Sequence, residues 1–274
     1  MNIDVVIPTG KDVIDSHNSI CYTLRSILSQ SLQPDNIYVV ENVGNTRVSD
    51  IVKSQFGDLV QVIDGTKKTP NISYARNLGA SYCRAETIIF MDDDVILGQN
   101  DYFARIVEIM KYNDFCCGAR RYWTTTNWHK QLSLDYPMNH NMQILKSTSF
   151  LPQSIERSTG NRNCSGYSYI GNFGAIKREV FEYMEGFDET YEGWLYQDTD
   201  LMMRLCYHKF QYLVLAYLEM FCYHLSHPAE KQAYRQINKN KYENKQLVLN
   251  INFNNKHFFG EFEDNDFAVI TPRR

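Results

Sequence analysis

The sequence predicts an α/β protein: a mainly parallel β-sheet flanked by helices, with a smaller region on its later side. Three observations predict it. Short apolar or β-branched runs alternate with helical patterns at short intervals through the first 119 residues, the pattern of βαβ units. Ile88-Ile89-Phe90-Met91 is continuously apolar, as strands covered on both faces are. Finally, Thr9, Glu41, Asp64 and Asp92 each follow directly on such a run. Right-handed crossovers would bring the carboxyl ends of parallel strands, and so these four residues, to one edge, where open α/β sheets bind ligands.

The first run, residues 4–9, is β-branched and stopped by Pro8, and reads as a strand. Asn18 and Ser19 can cap a helix reaching to about residue 30, with Ile20, Leu24, Ile27 and Leu28 at helical spacing. Gln33-Pro34-Asp35 turns the chain into a second strand over 37–40, which ends at Glu41-Asn42. A helix through Val48, Ile51 and Val52 leads to a third strand at 59–63. A further helix over 72–83 precedes the run at 86–91, and 101–112 forms another. Residues 124–165 are polar, rich in Asn, Ser and Thr, and weakly periodic, as expected of a lid or acceptor loop. Ordered patterns return over 167–173, with a helix over 177–184 and another opening at Asp198. Late strands are expected at 212–216 and 220–224, then a charged helical segment over 229–246.

Composition narrows the function classes. A net charge of −4 gives no basic footprint, which excludes nucleic acid as the expected partner. No window approaches the roughly 20 apolar residues that span a bilayer, and the start Met1-Asn2-Ile3-Asp4 lacks the pattern of a secretion signal. Membrane association therefore has no sequence support. The seven Cys include no C-x-x-C pair, which fits reduced thiols in a cytoplasmic protein. Aromatics reach 14% with 19 Tyr, compatible with stacking on sugar rings and equally with ordinary surface Tyr.

Four clusters carry candidate chemistry. Asp92-Asp93-Asp94 is either a solvated turn or a loop for a hard divalent cation, which binds one or two carboxylates plus substrate phosphates. Gly186-Phe187-Asp188-Glu189 leads through Trp194-Leu195-Tyr196-Gln197 to Asp198, which is either an N-cap or a general base for an acceptor hydroxyl. Tyr223-His224-Leu225-Ser226-His227 offers one His that could complete a metal site or simply pack. Arg76, in Ser73-Tyr74-Ala75-Arg76-Asn77-Leu78-Gly79, is a surface charge, a phosphate partner or an orienter of the acids.

In this order the pieces resemble the GT-A fold glycosyltransferases of family 2, with their Rossmann-like sheet. The resemblance rests on Val5-Val6-Ile7-Pro8-Thr9, Tyr38-Val39-Val40-Glu41-Asn42, Ala75-Arg76-Asn77-x-Gly79, Asp92-x-Asp94, Gly186-Phe187-Asp188-Glu189 and Gln197-Asp198-x-Asp200-Leu201, with His224 downstream. It implies an inverting transferase that moves a sugar from a nucleotide-diphosphate donor, a UDP-sugar first, to a hydroxyl of a glycan or glycolipid acceptor. Thr9 and Glu41 would contact the nucleobase or ribose, and Arg76, Asp92 and Asp93 would belong to the donor site. Asp94 and His224 would hold Mn²⁺ or Mg²⁺, Asp198 would be the base, and Trp194 and Gln197 would meet the acceptor sugar.

Asp93 is the acid of the triplet expected to tolerate replacement. On this basis 1–228 form the transferase domain, with a donor half at 1–119, an acceptor half at 120–228 and a lid at about 124–165. Residues 229–274 form a helical tail. The sequence departs from the family at Glu41-Asn42, where two Asp are usual, and at Gln197, where Glu is usual. Those departures keep a non-catalytic nucleotide-sugar-binding homologue open, and a sugar nucleotidyltransferase remains the other alternative. Oligomeric state is not legible.

Overall fold

The structure is a computed structural model that describes residues 1–10, 19–42, 47–67, 69–123, 151–152, 173–193, 195–225 and 234–248. The expected lid, apart from 151–152, and Trp194 lie outside the described residues.

Among the described residues, a seven-stranded sheet organises the molecule. Its strands are β1 (Ile3–Thr9), β2 (Asn36–Glu41), β3 (Gln61–Asp64), β4 (Thr87–Met91), β6 (Phe115–Cys117), β9 (Phe173–Lys177) and β10 (Tyr212–Val214), in the order β10-β6-β9-β4-β1-β2-β3. Only β9 runs against its neighbours; the others are mutually parallel.

Strand alternation builds a core on each face, because successive side chains point to opposite sides. Ile3, Val5 and Ile7 of β1 pack with Ile37, Val39, Ile89 and Met91 beneath α1 (Ser19–Leu28), α2 (Arg47–Phe56) and α4 (Tyr102–Met110). Val6, Tyr38, Val40, Ile88 and Phe90 face α3 (Ile72–Tyr82), α5 (Arg178–Tyr183) and α6 (Gln197–Tyr207). Helix α3 approaches closely at Gly79, where a Cβ would lie 2.4 Å from Val6 Cγ1. Burying a side chain the size of Val, Leu, Ile or Phe contributes roughly 1.5–3 kcal/mol, so two apolar faces are enough to fix this sandwich.

A second sheet joins β5 (Val95–Leu97), β11 (Phe221–His224), β7 (Arg120–Trp123) and β8 (Leu151–Pro152) in the order β5-β11-β7-β8. Antiparallel register pairs His224 with Val95, and the Leu225 N–H donates to the Asp94 carbonyl at 2.8 Å. Two stretches about 130 residues apart in sequence are thereby zipped together at the acid loop.

Three expected boundaries move. The third strand begins at Gln61 because Gly57–Leu59 closes a 3₁₀ turn, with Gly57 at a φ of 55°. The strand expected at 212–216 stops at Val214, and Leu215–Leu218 is a 3₁₀ turn. The last helix, α7, spans Arg235–Val248, and residues 226–233 lie outside the described ones. Among the described residues no helix is long and apolar enough to cross a membrane.

Candidate active site

The strand ends meet as parallel topology requires. Thr9 is in register with Glu41, and Glu41 with Asp64. Glu41 is buried and accepts from the Ser49 N–H at 3.0 Å and the Ser49 hydroxyl at 3.3 Å. Burial pushes its carboxyl above the usual range; the Ser49 bonds pull the other way, and Asp64 and Asp50 add to the rise. Asp64 is exposed, and the Thr66 N–H holds its carboxyl below the usual range. Asn42 Oδ1 accepts from the Asn71 N–H at 3.1 Å, tying the end of β2 to the start of α3.

The acid loop divides its three carboxylates among three partners. Asp92 Oδ1 accepts from Arg76 Nη2 at 3.0 Å. Asp93 is buried, and its Oδ2 accepts from the Thr9 hydroxyl at 2.7 Å. Asp94, also buried, places Oδ1 3.4 Å from His224 Nε2. The repulsion expected among adjacent acids is eased by a cation at Asp92 and a hydroxyl at Asp93, and Asp94 stands beside an imidazole. The bond from Thr9 to Asp93 ties the acid loop to the end of β1.

Arg76 is the centre of the site. Asn71 caps α3 by accepting from the Tyr74 N–H at 2.9 Å, and Arg76 leaves the next turn with only 2% of its side chain exposed. Its fork spans two carboxylates: Nη1 donates to Asp198 Oδ1 at 3.0 Å while Nη2 holds Asp92. The Phe187 ring lies 5.1 Å from the guanidinium carbon. Of the three roles open for Arg76, burial does not fit a surface charge, and its two bonds join it to acids of the site. A guanidinium fork suits this because its donors are planar and fixed.

Asp198 is not an N-cap. Tyr196 holds that position for α6, at a φ of 73°, and Asp198 lies within the first turn. Leu195 is also left-handed, at 83°. Conformations of this kind cost of order 1–3 kcal/mol each and cluster where surrounding structure enforces them. Gln197 is buried, and its Nε2 donates to the Gly193 carbonyl at 2.8 Å. A carboxylate could not make that bond, so the amide of Gln197 supports the turn.

Among the described residues no group of three or more His, Cys, Asp or Glu side chains is arranged to hold a metal ion. Asp94 and His224 fit a site completed by substrate. Octahedral coordination at about 2.1 Å puts adjacent ligand atoms roughly 3 Å apart, and Mg²⁺-type sites often take one or two carboxylates plus substrate phosphates, with imidazole a common ligand for other divalent metals. The 3.4 Å between Asp94 Oδ1 and His224 Nε2 lies close to that spacing.

Sequence reasoning missed the residues that join the site's two sides. Asn77 Nδ2 donates to the Phe187 carbonyl and Asn77 Oδ1 accepts from the Phe187 N–H, at 2.8 and 2.9 Å. Asn71 Nδ2 donates to the Glu189 carbonyl at 2.8 Å. Asn77 stood in the motif beside Arg76 and could have been singled out; Asn71 carried no signal beyond its helix-start position.

The family description glycosyl transferase family 2 matches residues 4–184, and a second, N-terminal domain of galactosyltransferase, matches 153–228. No curated protein matches the chain. Among solved structures, S. aureus TarS residues 1–349 is similar at 14% identity and a TM-score of 0.60, covering 94% of this chain and 68% of that one. The same TarS fragment in complex with UDP-GlcNAc gives 13% and 0.61, covering 94% and 69%. The mannosyltransferase PcManGT from Pyrobaculum calidifontis, in complex with GDP-Man and Mn²⁺, gives 14% and 0.57; 91% of this chain covers 64% of it. These likenesses show the shared GT-A fold. With that fold in place and the family description matching well over half its length, the chain belongs to glycosyl transferase family 2 and is a glycosyltransferase.

Proposed function

We propose that the protein transfers a sugar with inversion from a nucleotide-diphosphate donor, a UDP-sugar first, to a hydroxyl of a glycan or glycolipid acceptor, with Mn²⁺ or Mg²⁺ bound. The observation that carries this reading is the Arg76 fork. A single buried guanidinium holds Asp92, on the donor-side loop, and Asp198, on the acceptor-side helix. Two carboxylates from distant segments are thereby held by one cation, which supports the reading that donor and acceptor meet beside it.

The chemistry follows from those positions. Asp92 accepts hydrogen bonds from the donor sugar. Asp198 takes the proton from the acceptor hydroxyl as that oxygen bonds to the anomeric carbon from the face opposite the diphosphate. The bond to the diphosphate breaks through an oxocarbenium-like state, as in glycoside hydrolysis. A divalent cation on Asp94 and His224 would supply positive charge to the departing diphosphate. Thr9, Glu41 and Asp64 stand at the strand ends where the nucleoside would rest, and Glu41 can accept from base or ribose.

TarS in complex with UDP-GlcNAc and PcManGT in complex with GDP-Man and Mn²⁺ support this class of donor and cofactor. We also propose a cytoplasmic location, as the cysteine spacing in the sequence suggests. A thermal-shift panel of UDP- and GDP-sugars with and without Mn²⁺ tests the reading, since a ligand that prefers the folded state raises its stability. A shift with UDP-sugars that requires Mn²⁺ and disappears in Asp94→Ala is expected. An identical shift in Asp94→Ala would remove that residue from the metal site.

A further inference from the structure

Helix α7 lies against the segment that carries the candidate base. Asn238 is wholly buried, and its Nδ2 donates to the Glu192 carbonyl at 2.8 Å and the Leu195 carbonyl at 3.2 Å. Lys245 pairs with Asp188 at 2.9 Å and Asp200 at 2.7 Å. The Tyr242 ring lies 5.5 Å from that of Tyr196. Tyr234, just before the helix, sits where a Cβ on Gly193 would be, 2.4 Å from its Cδ2.

The backbone beneath these contacts is irregular, with Gly193, Leu195 and Tyr196 all at positive φ. Carbonyls that are partly shielded in such a segment, and have no ladder to join, take donors from elsewhere. One amide group has two N–H bonds to give, and Asn238 directs its Nδ2 at two of these carbonyls while Gln197 serves that of Gly193. On the opposite side the Gly193 N–H donates to the Pro70 carbonyl at 2.8 Å, just ahead of the helix that carries Arg76. The left-handed pair is therefore gripped between α7 and the start of α3, and Asp198 follows two residues later.

We propose that Asn238 is a positioning residue for transfer, its amide fixing the left-handed turn at Leu195 and Tyr196 and thereby the stance of Asp198 against Arg76. This rests on the reading of Asp198 as the acceptor-side base. A helix outside the matched family segment would then belong to the catalytic apparatus.

The test compares wild type with Asn238→Ala, and with Asn238→Ser, which keeps one short-reach donor, should the alanine form fail to fold. Amide exchange in peptides covering 192–200 should quicken by about tenfold or more in the variant, with β1 and β2 unchanged, as expected of a local opening. With UDP-GlcNAc and Mn²⁺ as the probe, kcat for UDP release should fall by roughly 10–100-fold with KM nearly unchanged, the signature of a displaced catalytic group. Unchanged exchange over 192–200, or faster exchange spread evenly through the sheet, overturns the proposal. So does local loosening with an unaltered kcat. If wild type releases no UDP from UDP-GlcNAc, that donor has failed; the clamp is still judged by the exchange.

Discussion

The two sides of the site are held by different means. On the side proposed for the donor, Thr9, Glu41 and Asp64 are placed first by ladder register at the ends of parallel strands, with Asp93, Ser49 and Thr66 adding short bonds. On the acceptor side, Asp198 follows a turn with two left-handed non-glycine residues, Leu195 and Tyr196, held by amides and ion pairs from α3, α6 and α7. Backbone ladders place the first set; side chains distant in sequence place the second. Damage on the donor side should therefore be absorbed locally, whereas damage on the acceptor side should spread to catalysis through the turn.

Arg76 is where the two regimes meet, and its replacement should give the largest effect. Breaking a buried ion pair by removing one partner costs about 3–5 kcal/mol. The carboxylates here are 20% and 15% exposed, so we expect Arg76→Met to lose about 3 kcal/mol by urea denaturation and to abolish transfer. A variant as stable as wild type would show that the fork does not join the halves.

Asp93 tests the donor side alone. Asp93→Ala leaves the Thr9 hydroxyl buried without its acceptor, at a cost of about 1–3 kcal/mol. Asp93→Asn, whose amide oxygen still accepts, should cost much less, and both should keep measurable transfer. Equal destabilisation by the two variants would mean that charge, not the Thr9 bond, is what matters at this position.

The smallest effect is expected from pH at the α7 contact. Burial raises the Asp188 carboxyl, but the Lys245 and Thr190 bonds outweigh it and the net shift is downward. A depressed carboxyl contributes stability that is present above its unfolded value, about 3.9, and is lost as pH falls through the folded value. Amide exchange in α7 should therefore rise selectively below about pH 4, and Lys245→Met should weaken that dependence. Exchange independent of pH across this window would sever the link between this pair and the helix's docking.

The contrast also explains what could be read in the sequence. Val5 to Thr9, Val39 to Glu41 and Ile88 to Asp92 announce strands and strand ends by composition alone, so the donor edge was legible before any coordinates. The Asp92-Asp93-Asp94 triplet was visible, but its division among Arg76, Thr9 and His224 was not, because each partner arrives from a different segment. Asn238 gave no signal at all: a buried Asn in a polar helix looks like any other until the carbonyls it serves are in place. Gln197 departs from the usual Glu, and the bond its amide gives to the Gly193 carbonyl could not be foreseen without the turn in place.

The base role proposed for Asp198 requires it to act in transfer and not in donor binding. Asp198→Asn keeps shape and removes the charge and the base. With UDP-GlcNAc and Mn²⁺, it should lower kcat by about 10²–10⁴-fold, the usual weight of a general base, while UDP affinity measured by calorimetry stays within a few-fold of wild type. Parallel loss of turnover and UDP binding, or turnover that survives intact, would contradict it.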